Sequence, residues 1–167
     1  MDEREFDEFY LASQRRVTAQ VYAMIGNRDE AEECVQEAYV RAWAHRRKLD
    51  QAEHPEAWVR TTAYRLAVSR WRRTMRGRRP ADRAVGAATQ AAPPTEAHVA
   101  LVAALKKLPE SQRQALVLHH IADLPVHEVA RETGAPEGTV KARLSRGRAA
   151  LAVLLADEPF DQGATHA

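Results

Sequence analysis

Nine arginines and a single acid, Asp82, lie within residues 58–83, whereas residues 1–37 hold ten acids and four arginines. A basic block of that density draws polyanions and an acidic helix face draws cationic groups. The chemistry these residues favour is therefore electrostatic recognition of two kinds of macromolecular partner. Bond-making chemistry finds few of its usual groups. The seven histidines never stand in a Glu-x-x-His pattern, so a di-iron helical bundle lacks its ligands. No phosphate-binding glycine loop, nucleophile elbow or His-Glu-x-x-His run is present. His119 and His120 are neighbours on a helix and point in different directions, as structural or solvated residues do. Cys34 is the only cysteine, unable to close an internal disulfide or build a thiolate site, and reads as a small buried hydrophobe. No enzyme activity, metal or other cofactor is expected.

The elements that must position these charges are helices. Ala, Arg, Leu and Glu dominate, aromatics are 6%, and seven glycines and eight prolines are too few for a turn-dense sandwich or barrel. No apolar run approaches the about 18–20 residues of a membrane span, and the acidic start, Met1-Asp2-Glu3-Arg4-Glu5, lacks signal-peptide order. A cytoplasmic protein without membrane insertion is expected.

Phe6, Phe9, Tyr10, Val17, Val21 and Met24 recur at helical steps and predict a first helix over 5–25, stopped by Gly26. Asn27, with Glu30 three residues on, reads as a capping box for a second helix reaching about Arg47. Its inner stripe is Ala31, Val35, Ala38 and Ala42, flanked by Tyr39 and Trp43, which leaves Glu32, Glu33, Gln36, Glu37 and Arg41 outside. Residues 48–54 read as a loop, and Pro55 opens a third helix to about Arg73. On it Trp58, Thr62, Leu66 and Ser69 share one side, while Arg65, Arg72 and Arg73 project elsewhere. Gly77 and Pro80 break the pattern. The Ala-rich stretch to Pro93-Pro94 carries no apolar period and reads as a flexible linker.

Beyond it, Thr95 caps a helix with Val99, Val102, Leu105 and Leu108, and Pro109 starts another over about 110–121. Asp123-Leu124-Pro125 makes a turn. A short helix over 126–133 ends at Gly134, and a last helix over about 137–155 turns Val140, Leu144, Leu151 and Leu154 inward. The expected architecture is all-α: two small helical domains, 1–74 and 95–156, joined by a flexible linker over 75–94, with a frayed tail over 157–167.

A short helix, a glycine-containing turn and a longer helix form the layout of a helix-turn-helix, whose second helix enters the major groove. With Val140 and Leu144 buried, Thr139, Lys141, Ala142, Ser145 and Arg146 project from the core, and Arg143 and Arg148 stand beside them within reach of phosphates. Small residues permit close approach, and Arg or Lys bonds guanine edges or phosphate. Taken alone, the segment also fits a stand-alone helix-turn-helix regulator, or a helical adaptor with incidental basic surfaces.

The run Gly138-Thr139-Val140-Lys141-Ala142-Arg143-Leu144-Ser145-Arg146, with Leu124-Pro125-Val126-His127-Glu128 before it, resembles region 4 of bacterial sigma factors, more narrowly the extracytoplasmic-function (group IV) sigma factors of RNA polymerase. Asp29-Glu30-Ala31-Glu32-Glu33-Cys34-Val35-Gln36-Glu37-Ala38-Tyr39-Val40-Arg41-Ala42-Trp43 resembles region 2.2, and the stretch from Pro55 to Arg73 resembles regions 2.3 and 2.4. The likeness spans about 6–155. It implies that Glu33, Gln36, Glu37 and Arg41 dock on the clamp helices of the polymerase's largest catalytic subunit, with Trp43 as the apolar anchor. It also implies contact with the flap of the second subunit, and an anti-sigma factor as a further partner.

For the minus-10 promoter element the resemblance assigns recognition and melting to the stretch from Pro55 to Arg73. Melting needs cations for phosphates and a surface for an unstacked base. Arg60, Arg65, Arg72 and Arg73 are candidates for the first; Tyr64, Trp71 and the segment Lys48-Leu49-Asp50 for the second; Trp58 reads as core. The chain departs from the family pattern at Ser69 and within Arg70-Trp71-Arg72-Arg73. For the minus-35 element the candidates are Thr139, Lys141, Ala142, Arg143, Ser145 and Arg146.

Overall fold

In the computed structural model, residues 1–77 and 95–157 are described. They form eight α-helices: α1 (Glu3–Ile25), α2 (Arg28–Ala44), α3 (Arg46–Leu49), α4 (Pro55–Met75), α5 (Glu96–Lys106), α6 (Glu110–Leu116), α7 (Val126–Thr133) and α8 (Glu137–Asp157). Most of the expected linker, 78–94, and tail residues 158–167 lie outside the described residues. Met75 closes α4 and Asp157 closes α8.

Local chemistry fixes most helix ends. Asp2 and Glu5 form a reciprocal capping box that starts α1 two residues before the apolar stripe suggests: Asp2 Oδ1 accepts from the Glu5 N–H at 2.8 Å, and Glu5 Oε2 accepts from the Asp2 N–H at 2.7 Å. Gly26 ends α1 at φ 75°, a left-handed position that costs glycine no Cβ clash. Asn27 Oδ1 then accepts from the Glu30 N–H (3.1 Å) and opens α2. Thr95 caps α5 in the same way through the His98 N–H (3.2 Å), and Pro55 opens α4.

The α2 helix stops at Ala44, three residues short of the expected end. His45 leaves the helical region, and Arg46 to Leu49 make the single turn α3, which takes the last two residues expected in α2 and the first two of the expected loop. The cause is Leu49, which turns inward and is almost wholly buried. Its burial favours a helical turn at the edge of the core over an open loop.

Helices α1, α2 and α4 pack on one another around Val17, Val21, Met24, Val35 and Val59. Ala31, Ala38, Ala42, Ala63 and Ala67 are buried between α2 and α4, and such small side chains let two helix backbones approach closely. That choice shifts the inner stripe of α4 by one position. Val59, Ala63 and Ala67 face inward, whereas the expected Trp58, Thr62, Leu66 and Ser69 lie half-buried along its flank. Bulky side chains at the centre would have held α4 off α2. Around the first turns of α1, Phe6 packs edge-on against Phe9, Tyr39 and Trp43. Beneath them the Tyr39 hydroxyl meets Ser13 Oγ at 2.6 Å, a buried polar pair linking α1 to α2. Burial pushes the Tyr39 phenol up to about 12 against that hydrogen bond.

In the C-terminal half α8 packs on α5, α6 and α7. The α6 helix runs on into a π-helical turn, Val117–Ile121, closed by the Ala122 N–H on the Val117 carbonyl (2.9 Å). Asp123 follows at φ 55° and reverses the chain, a left-handed position Asp tolerates better than most residues. His119 Nδ1 braces the turn against the Leu124 carbonyl (2.8 Å). Gly134 ends α7 at φ 68°.

Gly147 on α8 is buried where the helix crosses α6. A Cβ there would stand 3.0 Å from Leu116 Cδ1 and 3.4 Å from Gln112 Cβ. Gly147→Val should therefore overpack the crossing and destabilise the protein by about 1–3 kcal/mol. Urea denaturation checks it; an unchanged midpoint would show that α6 and α8 can move apart freely.

The two halves share one continuous core. The α1 helix packs against α5, α6 and the π turn, and the Lys106 stem lies over Gly26. Among the described residues no helix is long and apolar enough to cross a membrane.

Candidate functional site

Three surfaces carry the candidate residues. On the first, α2 presents Glu33, Gln36, Glu37 and Arg41, none of them buried. They are not free side chains. Gln36 Nε2 donates to the Tyr10 hydroxyl (3.2 Å) and Arg41 Nη2 donates to Glu37 Oε1 (2.6 Å). From α4, Arg70 donates Nη1 to Glu33 Oε2 (3.1 Å) and Nη2 to Glu37 Oε2 (2.8 Å). Burial works to raise the Glu37 carboxyl, but the hydrogen bonds and charges of Arg41 and Arg70 outweigh it and hold Glu37 below the usual carboxylate range.

Trp43 does not stand out from this face. Its ring lies edge-on to Phe6 (centroids 5.1 Å apart) and beneath the Arg46 guanidinium at 4.2 Å, because the aromatic cluster of α1 needs a lid there. The apolar group α2 does expose is Val40, 69% accessible. Sequence reasoning missed Val40 and Arg70. Val40 follows the four-residue step from Gln36, a signal that was available; the Arg70 bridge is a tertiary contact with no local signature. Cys34 is fully buried behind the same helix, and burial pushes its thiol up to about 11, leaving it protonated and unreactive.

The second surface lies along α4. Arg65, Ser69, Arg72, Arg73 and Arg76 line one open groove, and none of these four arginines has a carboxylate partner among the described residues. Trp71, 62% exposed, stands on the same solvent-facing end of the helix. Arg60 departs from expectation. It is 2% exposed and faces Glu132 of α7, donating Nε and Nη2 to the two carboxylate oxygens at 2.7 Å each and Nη1 to Gln20 Oε1 at 2.9 Å. Its place on the inner edge of α4 turns it toward the C-terminal half, so in this arrangement it reaches no phosphate.

Tyr64 is also engaged. Its hydroxyl donates to the Glu110 carboxylate, and burial, with that carboxylate beside it, raises the phenol above its ordinary value. Of the segment before α4, Lys48 and Asp50 are exposed and Asp50 accepts from the Met1 amino group, while Leu49 is buried and offers no stacking surface. Trp58 is half-buried against the core.

The third surface is α7–α8. Val140 and Leu144 are buried, Lys141, Ser145 and Arg146 are exposed, and Thr139, Ala142 and Arg143 are half-buried beside them. The first turns of α8 thus keep one face open to solvent. Arg148, one turn after Leu144, is exposed next to His120. No cluster of His, Cys, Asp and Glu among the described residues could hold a metal ion.

An all-helical chain with a basic groove on one helix and a helix-turn-helix opening its second helix to solvent has the features of a DNA-binding protein. The sequence matches the family Sigma-70 region 2 over residues 9–77 and Sigma-70, region 4 over residues 98–151. It is 32% identical over 148 residues to the ECF RNA polymerase sigma factor EcfG of Rhodopseudomonas palustris, covering 87% of this chain and 82% of the relative. The sigma factor SigW of Bacillus subtilis is 30% identical over 159 residues, with 81% of each chain covered. In fold the chain is similar to the sigma factor RpoE of Bartonella quintana, solved with the anti-sigma factor NepR (TM-score 0.75, 24% identity, 93% of this chain and 99% of that one). CnrH, solved with the cytosolic domain of CnrY, is similar at TM-score 0.66 and 22% identity, covering 94% and 91%. The chain belongs to the extracytoplasmic-function RNA polymerase sigma factors. It directs transcription initiation and is non-catalytic.

Proposed function

We propose that the exposed face of α2 seats this sigma factor on core RNA polymerase, on the clamp helices of the largest catalytic subunit, through Glu33, Gln36, Glu37 and Arg41. The observation that carries this reading is the alignment of Glu33, Gln36 and Glu37 on one face, each held in direction by a neighbour and each with acceptor or donor capacity left for a partner. Val40 takes the apolar role that Trp43 does not fill. Arg65, Arg72 and Arg73 hold the phosphates of the minus-10 element, Trp71 offers the stacking surface for an unpaired base, Tyr64 and Ser69 line the same groove, and Lys48 and Asp50 add contacts from the segment before α4. Thr139, Lys141, Ala142, Arg143, Ser145 and Arg146 read the minus-35 element from the major groove, with the C-terminal half resting on the flap of the second subunit. Two modest DNA contacts joined on one polymerase gain specificity through effective concentration. The protein acts in the cytoplasm. An anti-sigma factor is a further partner, supported by the fold shared with RpoE, which was solved with the anti-sigma factor NepR.

Run-off transcription with core enzyme and a promoter library tests the reading. Gln36→Ala with Glu37→Ala should weaken core binding at least tenfold while leaving thermal melting nearly unchanged, since both side chains lie outside the core; about 1–1.5 kcal/mol per lost polar contact is enough. Unchanged affinity would overturn the docking assignment. Arg146→Ala should cost about 1–3 kcal/mol on the promoters the protein prefers and little on others, if the side chain bonds a guanine edge. Footprint titrations on matched and mismatched fragments measure it, and an equal loss on all sequences would make Arg146 a phosphate contact.

A further inference from the structure

We propose that Arg70 is a positioning residue for polymerase docking: carried by α4, it fixes the carboxylates of Glu33 and Glu37 side by side on α2 and ties the docking face to the helix that bears the DNA-facing arginines. The inference rests on the docking reading above and names a residue that acts through the contacting groups rather than on the polymerase itself.

The geometry is that of a clamp. Two nitrogens of one guanidinium reach two carboxylates one helical turn apart, at 3.1 Å and 2.8 Å, and the second oxygen of Glu37 is taken by Arg41 at 2.6 Å. The planar fork holds its donors in fixed directions toward both acceptors, whereas an ammonium's three donors rotate freely and set no such direction. Among the arginines of α4, Arg65, Arg72 and Arg73 face the open groove and Arg60 faces Glu132, which leaves Arg70 as the one turned to α2.

Two physical consequences follow. Glu33 and Glu37 are like charges at i and i+4, which repel unless a cation lies between them. Glutamate is also rotamer-rich, and immobilising it only on binding weakens association. Arg70 removes both costs before the polymerase arrives. With two carboxylates and two guanidiniums the patch carries little net charge, so its partner is selected by the direction of the remaining lone pairs rather than by a broad acidic field. The fold itself does not rest on the clamp. Arg70 and both glutamates are about a third exposed, and the α2–α4 contact is made by buried alanines.

The test is a titration of labelled full-length protein with core RNA polymerase. Arg70→Ala should weaken binding about tenfold, with Arg70→Lys in between and thermal melting within a few degrees of the parent. In a Glu33→Gln/Glu37→Gln background, Arg70→Ala should add almost no further loss, because the groups it positions are gone. The proposal is overturned if Arg70→Ala binds core like the parent, or if its loss is the same with and without the carboxylates, which would make Arg70 a contact in its own right. Should the Arg70→Ala protein melt far below the parent, Arg70→Gln serves the same cycle, and equal melting of Arg70→Lys and parent with unequal core affinity again supports the clamp. If Glu33→Gln/Glu37→Gln alone leaves core affinity intact, the docking reading has failed. If that pair matters and Arg70 does not, only the present inference has.

Discussion

Glu132→Ala is expected to be among the most damaging single substitutions in this protein, lowering the stability of the packing between its halves by about 3–5 kcal/mol. The side chains of Arg60 and Glu132 are 3% and 9% exposed, and two parallel hydrogen bonds of 2.7 Å join them across the contact between α4 and α7. Removing the carboxylate leaves a guanidinium in a low-dielectric site with only Gln20 for company. The protein has one way to limit that cost, which is to let α7 move off α4 so that Arg60 regains water. The expected outcome is therefore an early unfolding transition in urea together with a larger radius of gyration by solution scattering. Arg60→Met with Glu132→Leu should recover most of the loss, because an apolar pair of similar volume needs no compensation. The neighbouring pair Arg131–Glu53 gives the contrast. Its distance is a comparable 2.8 Å, but its side chains are 54% and 74% exposed and screened by water, so Glu53→Ala should leave the urea midpoint close to that of the parent. Glu132→Ala with parental stability and an unchanged radius would mean that the contact between the halves does not exist in solution.

The same ion pair marks where sequence reasoning reaches its limit. Signals carried by neighbouring residues were legible: Asn27 and Thr95 as caps, Gly26 and Gly134 as helix ends, Pro55 as a start, and the short-helix, turn, long-helix order of 126–155. Each is decided within a few residues by hydrogen bonds the chain makes with itself. The phase of α4 was not legible, because the Trp58-Thr62-Leu66 and Val59-Ala63-Ala67 stripes differ by a single position and only the approach of α2 chooses between them. Arg60, Trp43 and Tyr64 show the same gap at the level of function. Each has the right chemistry for a partner and lies on a segment similar to one with that role, yet each is taken up by the chain itself, by Glu132, by Phe6 and by Glu110. Residue type states what a side chain is able to bind; competition with partners 37 to 72 positions away decides what it does bind. Arg65, Arg72 and Arg73 remained available because no carboxylate among the described residues pairs with them, and Glu110, which lines the same groove, is taken by Tyr64.

Leu144→Ala is the second large effect expected, about 2–5 kcal/mol, and it links the core to promoter reading. Leu144 is 2% exposed and lies one turn beyond Val140 on the buried side of α8, within the core that also holds Leu116, Leu118 and Val129. Truncating it removes three carbons from a small, mostly aliphatic core with few large side chains nearby to collapse into the space. Since a domain has only about 5–15 kcal/mol in total, such a loss is a large fraction of what holds α8 in place. Lys141, Ser145 and Arg146 flank Leu144 on the open face of the same helix, so any tilt of α8 displaces all three together. Base-edge contacts tolerate little displacement, and selective binding to a minus-35 fragment should fall before the helix melts. Val153→Ala, farther along α8 and 61% exposed, should move stability by less than about 0.5 kcal/mol and leave binding as it was. Urea denaturation paired with fragment titration at a temperature where both variants remain folded separates the two outcomes. If Leu144→Ala lost stability but kept full selectivity for the minus-35 sequence, the orientation of α8 would have to be set by the DNA rather than by the core beneath it.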